Sequence, residues 1–352
     1  MSADVPGIGL RAGRDREADT TAYAEARDAE RVGLAGLLKH LDRRGRRSPW
    51  APGLRVSRAL TWDAADRRDR RWWPQGITGT ADARLTEADP DRVHGRRLLA
   101  VSWWGTGADG HNDGSRVSFY DVDTRRYQHA ELVRVVDGDT GPELAPLRVH
   151  AGGLVWHGPW LFVAATATGL WVCHVNDVLR LPATGGRGGP PGPSRDRFVL
   201  PVRQAWPAVT DDGTEPFRWS FLSLSRTGGE AALVAGEYAR GTKSRRLLRL
   251  PLDPSTQLPL LGTDGVARPT LVAKGVAGMQ GVVERDGRWH VTVSHGPVAP
   301  GSLLGGQPGA LRRRRYAAPP GPEDLHWWPE LGGLWTATEH PRRRWLVALR
   351  TH

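Results

Sequence analysis

Glu323, His150, Glu237 and His295 are the side chains whose types and surroundings could carry acid–base chemistry in this sequence. A carboxyl and an imidazole exchange protons near neutral pH once burial or a neighbour moves their pKa values. Each of the four sits at the edge of an apolar, β-type run, where packing alone does not need an ionisable group, so each break marks either a turn or a site. Around them are residues suited to holding a ligand. Gln75 and Gln280 recur in matching "QG" pairs and can both donate and accept hydrogen bonds. Trp73 and Trp103 offer flat apolar surface, and Ser220, Tyr238 and His340 add polar groups at comparable positions. Glu323 and Asp324 are adjacent, and alternation along a regular strand lets only one face inward; the match to Gln75 selects Glu323. Such a set suits hydrolysis, elimination or cyclisation, with Glu323 and His150 as the acid–base pair and Glu237 and His295 assisting. Each residue also has a structural reading: acids bonding amides at a strand entry, histidines in loops.

Other chemistries lack their motifs. No GxGxxG follows a strand, and there is no phosphate-binding P-loop and no GxSxG elbow. Cys173 is the only cysteine, so neither an intrachain disulfide nor a cysteine zinc site can form. No cofactor is expected and no metal ligand set is assigned. "DGHNDG" (Asp109 to Gly114) has oxygen ligands of the kind calcium takes but not the spacing of an EF-hand loop, so it reads as a turn.

Elements that bring such scattered residues together must be repeated ones. From about residue 53 the chain is a succession of short β-type runs bounded by Gly, Pro and Asp. First runs "WPQGITG", "HAGGLVWHG", "RWSFLSL", "GMQGVVERDG" and "PEDLHWWP" are each followed by a second and a third run, and in four of the five cases by a weaker fourth. The pattern predicts an all-β fold, a single β-propeller of five blades, with six as the runner-up. The last unit lacks a fourth run, and 53–61 is expected to supply it. Residues 1–20 read as a disordered tail, and 21–45 as one helix within an N-terminal segment (21–50) packed outside the propeller (51–352). Ala183 to Asp196, rich in Gly and Pro, reads as a flexible surface loop.

Lys and Arg number 49 and Asp and Glu 38, giving a net charge of +11, and lysine appears only at Lys39, Lys243 and Lys274. Coding bias toward arginine explains much of this; attraction to an anionic partner is the sharper reading, carried by the runs Arg312 to Arg315 and Arg342 to Arg344. Nucleic acid is the weakest of the partner classes considered, after a small-molecule ligand and a protein partner. Trp, at 16, outnumbers Tyr and Phe together, which suits inter-blade packing or a flat ligand. No apolar segment is long enough to span a membrane or to act as a signal peptide, so the sequence as written reads as a soluble, cytoplasmic monomer, or a secreted one if translation starts upstream.

The segments "WWPQGI", "HAGGLVW", "GMQGVV" and "GPEDLHWWP" resemble a set of actinobacterial propeller-like proteins over about residues 50 to 350. That resemblance implies the fold and no activity. Arabinanase- and invertase-type glycosidases are similar in blade number, but they need an Asp on the first inner strand, where this chain has Gln75. A looser similarity to lactonase-like propellers, some of which hold calcium, touches Glu323, Gln75 and Gln280. The expected function is therefore non-redox acid–base chemistry on a sugar-like or specialised-metabolite substrate, a hydrolase or lyase. The alternative is a non-catalytic, lectin-like or protein-interaction propeller.

Overall fold

The computed structural model describes residues 5, 7–84, 89–182 and 197–351. The loop expected at 183–196 lies outside the described residues.

Short amphipathic runs pair antiparallel with their sequence neighbours, through tight turns such as those after His157 and Arg285 and through longer loops such as that after Gly79. Unit one comprises Trp72–Gly79, Leu98–Thr106, Asn112–Asp121 and Arg126–Gly138. Unit two comprises Leu154–His157, Trp160–Ala165, Gly169–His174 and Arg197–Thr210. Unit three runs from Phe221–Ser225 through Ala232–Gly236 and Arg246–Pro251 to Thr270–Lys274. Unit four runs from Met279–Arg285 through Arg288–His295 and Ala299–Gly306 to Arg312–Ala318. Unit five has Pro322–Trp328, Gly333–Thr338 and Trp345–Leu349, and its fourth strand, Val56–Thr61, comes from upstream of unit one. The first strands touch one another in sequence order, and Pro322–Trp328 returns to touch Trp72–Gly79. The ring is closed, and the chain is a β-propeller.

The recurring glycines explain how tightly the ring closes. A Cβ on Gly153 would lie 2.2 Å from the backbone N of Leu222, and one on Gly281 would lie 2.5 Å from the N of Leu325. Gly76 makes the same approach to Leu154. What comes close to these backbones is thus the next inner strand, so the residue type is set by packing at the axis.

The N-terminal segment departs from expectation. Ile8–Arg11 is a strand, paired with Arg197–Thr210 and with Val266–Ala267, and Ile8 and Leu10 are buried. The disorder reading therefore fails for the described residues here, because three consecutive apolar residues find two partner strands within a charged surrounding. Nor is 21–45 one helix. Helices span Glu17–Ala26 and Gly33–Leu37, with Glu30–Arg31 between them pairing with Leu179 and Arg180. Asp28 has a left-handed φ of 49°, which a right-handed helix cannot pass through, and the second helix starts only at Gly33, itself at φ 61°. The apolar stripe itself is real: Leu34, Leu37, Leu38 and Leu41 are buried in the core shared by units one and two.

Candidate active site at the channel mouth

Three of the five first strands, those of units one, four and five, share a register irregularity at their starts. Pairing with the second strand shifts between Pro74 and Ile77, between Met279 and Gly281, and between Pro322 and Leu325. A bulge places two consecutive residues against one partner and suspends alternation. Glu323 and Asp324 are consequently both buried, 4% and 0% exposed, contrary to the expectation that only one could turn inward.

Asp324 sits among the inner strands. Its Oδ2 accepts the amide of Leu154 at 3.2 Å and its Oδ1 the amide of Leu325 at 2.9 Å. The amides of Ile77 and Leu222 bond it as well, so four inner strands' worth of contacts meet on one carboxyl from units one, two, three and five. Burial pushes this carboxyl well above the usual range, and the four amides oppose the shift. It works as a pin across the axis.

Glu323 instead bonds side chains from the neighbouring units. Its Oε1 accepts from Gln280 Nε2 at 3.1 Å, and its carboxyl is hydrogen-bonded to that of Glu339, at the end of unit five's second strand. Glu339 Oε2 in turn accepts from Gln75 Nε2 at 3.3 Å. The result is a row running Gln280, Glu323, Glu339, Gln75, drawn from units four, five and one. Thr292 Oγ1 donates to the Glu323 carbonyl at 2.7 Å and fixes the backbone beneath it. Burial, with the Glu339 and Asp324 carboxyls as neighbours, holds the Glu323 carboxyl well above the usual carboxylate range. Burial raises Glu339 too, but Gln75 and Arg344 pull against it. Two carboxyls in such contact keep one proton between them.

The rim is aromatic and basic. His340 Nε2 lies 3.6 Å from Glu339 Oε1, and its ring stands edge-on to Trp73 at 6.3 Å. Arg344 donates through Nε to the Glu339 carbonyl at 2.8 Å and lies over the Trp73 ring at 5.7 Å. Ser220 is half-buried beside unit two's Gly152, where a Cβ would meet the Ser220 carbonyl at 2.2 Å. Among the residues singled out from sequence, Glu323, Gln75, Gln280, Trp73 and His340 are thus gathered.

Others are not. Glu237 is fully buried and held by Arg246 at 2.9 Å and Arg218 at 3.7 Å, and it also accepts the Arg218 and Arg246 amides. Burial opposes ionisation there, but these bonds outweigh it and lower its pKa, so Glu237 is a structural anion and no free acid. Trp103 is fully buried, 4.7 Å from Trp62, with its Nε1 donating to Ser118 Oγ at 2.7 Å. Its neighbour Trp104 is the half-buried member of the doublet, and it carries His150, whose ring lies 5.0 Å away. His150 is exposed, and its ring contact is Trp104, whereas the side-chain partners of Glu323 are Gln280 and Glu339. His295 is exposed and bonds Ser302 Oγ at 2.8 Å. Tyr238 is half-buried in the loop after unit three's second strand. The residue missed as a site member is Glu339. Its signal was its place at a second-strand end beside His340, but only the fold brings it onto Glu323.

Among the described residues, no group of three or more His, Cys, Asp or Glu side chains is gathered as a metal site. In "DGHNDG", Asp109 and Asn112 accept nearby amides, as turn residues do.

No protein-family model matches the chain, and no curated protein matches it. Solved structures overlap it loosely. A thermostable family-43 glycoside hydrolase is 12% identical, with 80% of this chain and 90% of that one covered at a TM-score of 0.34. A GH43_1 enzyme from Xanthomonas citri is 10% identical over 81% and 90%, at 0.36. The β-propeller domain of Myceliophteria thermophila Cps50 (Swd1) is 10% identical over 83% and 98%, at 0.37.

Proposed function

We propose that this propeller is a small-molecule enzyme doing non-redox acid–base chemistry at the channel mouth, on a sugar-like or specialised-metabolite substrate. The observation that carries the reading is the Glu323–Glu339 carboxyl pair, with an amide on each outer flank. Gln280 and Gln75 each donate to one oxygen of the pair and so orient the two carboxyls. Glu323, the more deeply buried, holds the proton and acts as acid; Glu339, half-buried and nearer Arg344, acts as base. In a hydrolysis, Glu339 takes a proton from the attacking water while Glu323 gives its own to the departing oxygen. Transfer across their mutual hydrogen bond then restores the pair. Carboxyls in direct contact are too close for the two-carboxylate glycosidase mechanisms, which need separations of about 5–9.5 Å. A shared-proton pair of the aspartic-protease kind is the better chemical analogy. Trp73 and Trp104 supply flat surface for a ring.

The alternative is a non-catalytic, lectin-like or protein-interaction propeller, favoured by the same two tryptophans. Against multivalent sugar binding stands the asymmetry of the units, since the carboxyl pair occurs in unit five alone among the described residues.

The test is a thermal-shift screen of mono- and disaccharides, lactones and aromatic glycosides, followed by product analysis. An enzyme is expected to turn over a stabilising compound, while Glu323→Gln binds it and leaves it intact. Turnover retained by both Glu323→Gln and Glu339→Gln overturns the assignment, and stabilisation of all three proteins without product supports the binding module.

A further inference from the structure

Most buried or half-buried arginines here have a carboxylate partner. Arg203 pairs with Asp177, Arg116 with Asp66, Arg246 with Glu237 and Arg249 with Glu284. The outer part of unit four is arranged differently, with exposed arginines gathered on one cavity. A cavity of about 340 Å³ lies there, lined by Arg288, Arg312 and Arg314, with the buried His290 and the backbone of Gly305 and Gly306 beside them. No Asp or Glu lines it, and no ion pair joins any of these three arginines to a described residue.

The strand explains the convergence. Arg312–Ala318 is the outermost strand of its sheet, with Arg312 opposite Gly305 and Arg314 opposite Leu303. Side chains two apart share a face. Arg312 and Arg314 therefore turn to the cavity, while Arg313 and Arg315 turn the other way, where their charge is felt by His295. Gly305 presents no side chain opposite Arg312, which keeps the space open. Arg288 reaches in from the start of the second strand.

We propose that this cavity binds a small molecule carrying a phosphate or diphosphate group. Three guanidiniums lining one cavity that no carboxylate shares make it attractive to an anion, and their planar forks match the tetrahedral oxygens of phosphate. Its volume is at the lower end of small-ligand pockets, about 300–1,000 Å³, and suits a compact phosphorylated compound rather than a long polymer. The site is separate from the channel mouth, so the proposal stands or falls independently of the acid–base reading.

Titration calorimetry with pyrophosphate and with glucose 6-phosphate on the full chain tests it. One saturable site per chain is expected for at least one of them, and the two arms separate the bare diphosphate from a phosphorylated sugar. Arg312→Glu with Arg314→Glu should weaken binding by about tenfold or more per arginine, the scale of a charge-assisted hydrogen bond. Arg313→Glu with Arg315→Glu makes the same change in net charge on the opposite face and should leave affinity within about threefold, since only diffuse electrostatics are altered. Equal weakening by both double variants overturns the site in favour of a general field. Absence of a saturable site for both compounds overturns it outright, as does stoichiometric binding of a single-stranded oligonucleotide with neither small molecule bound.

Discussion

Asp66 and Glu323 are both carboxyls buried in the same propeller, and they end in opposite states. Asp66 is bonded by Arg116 Nη2 at 2.9 Å, His129 Nε2 at 2.9 Å and Tyr127 OH at 2.6 Å, with Arg43 at 3.4 Å. Burial opposes its ionisation, and these groups override it, leaving its carboxyl well below the usual range. His129 itself is driven down to about 3 by burial and by Arg116, so it is neutral and contributes an N–H, while the arginines contribute the charge. Around Glu323 the partners are an amide and other carboxyls, and its pKa rises. Burial is common to both sites; the charge of the neighbours decides. One nest stores an anion as part of the core, and the other stores a proton that chemistry can use. Ser118, His129 and Asp66 even stand in nucleophile–base–acid order, with Ser118 Oγ 2.7 Å from His129 Nδ1. Yet Ser118 is fully buried and already accepts from Trp103, so this is a core network closed to substrate.

The largest effect that would break the comparison is at Asp66. Asp66→Asn keeps the shape and removes the charge, leaving Arg116 buried without its counter-ion. Removing one partner of a buried pair costs about 3–5 kcal/mol, which for a chain of this size lowers Tm by about 5 °C. Calorimetric melting measures it. A variant melting with the wild type would mean that the arginines find other partners and that the nest is not held by charge.

How much of this was legible beforehand depended on range. The recurring Gly76, Gly153 and Gly281 could be read because axial packing writes the same small residue at three of the five repeats. The third-strand runs were legible because four-strand units impose their own spacing. The bulge at Glu323 was not, since alternation assumes a regular strand. Arg246 lies nine residues beyond Glu237 and meets it only because the hairpin between them folds back, so Glu237 read as a free acid. Trp103 and Trp104 differ in which face of the sheet they occupy, and the register that decides this is set by partners far along the chain. In the N-terminal segment, the Ala, Glu and Leu content spoke for helix more loudly than the left-handed turns at Asp28 and Gly33.

A middle-sized effect concerns pH, and the two nests should act with opposite sign. The Glu323 carboxyl has a folded pKa above its ordinary 4.5, so the native state holds a proton that the unfolded chain releases. Its contribution is fully present below 4.5 and is lost as pH rises toward the folded value. Asp66, depressed below its ordinary 3.8, contributes above that value and loses its contribution as pH falls through the folded one. Urea unfolding from about pH 2 to 9 should therefore show wild-type stability declining on the alkaline side, with Glu323→Gln flattening that decline. Asp66→Asn should leave the alkaline slope alone and relieve the acid loss. An unchanged alkaline slope in Glu323→Gln would mean that this carboxyl is ionised in the folded protein, and the acid role would go with it.

The smallest effect sharpens the boundary of the site. His150 belongs to neither nest: it is exposed, and its ring rests on Trp104, 5.0 Å away. Removing an exposed ring of this kind changes stability within about 0.5 kcal/mol, so His150→Ala should melt with the wild type. Its kinetic signature then separates two roles on any substrate that the screen identifies. If the ring only stacks against ligand at the rim, KM rises and kcat stays level, because ground state and transition state lose the same contact. If instead it moves a proton with Glu323, kcat falls, and the double variant with Glu323→Gln loses little beyond either single one. The separate hydrogen-bond partners of Glu323 and the tilted Trp104 contact favour the first outcome, which confines proton transfer to the carboxyl pair.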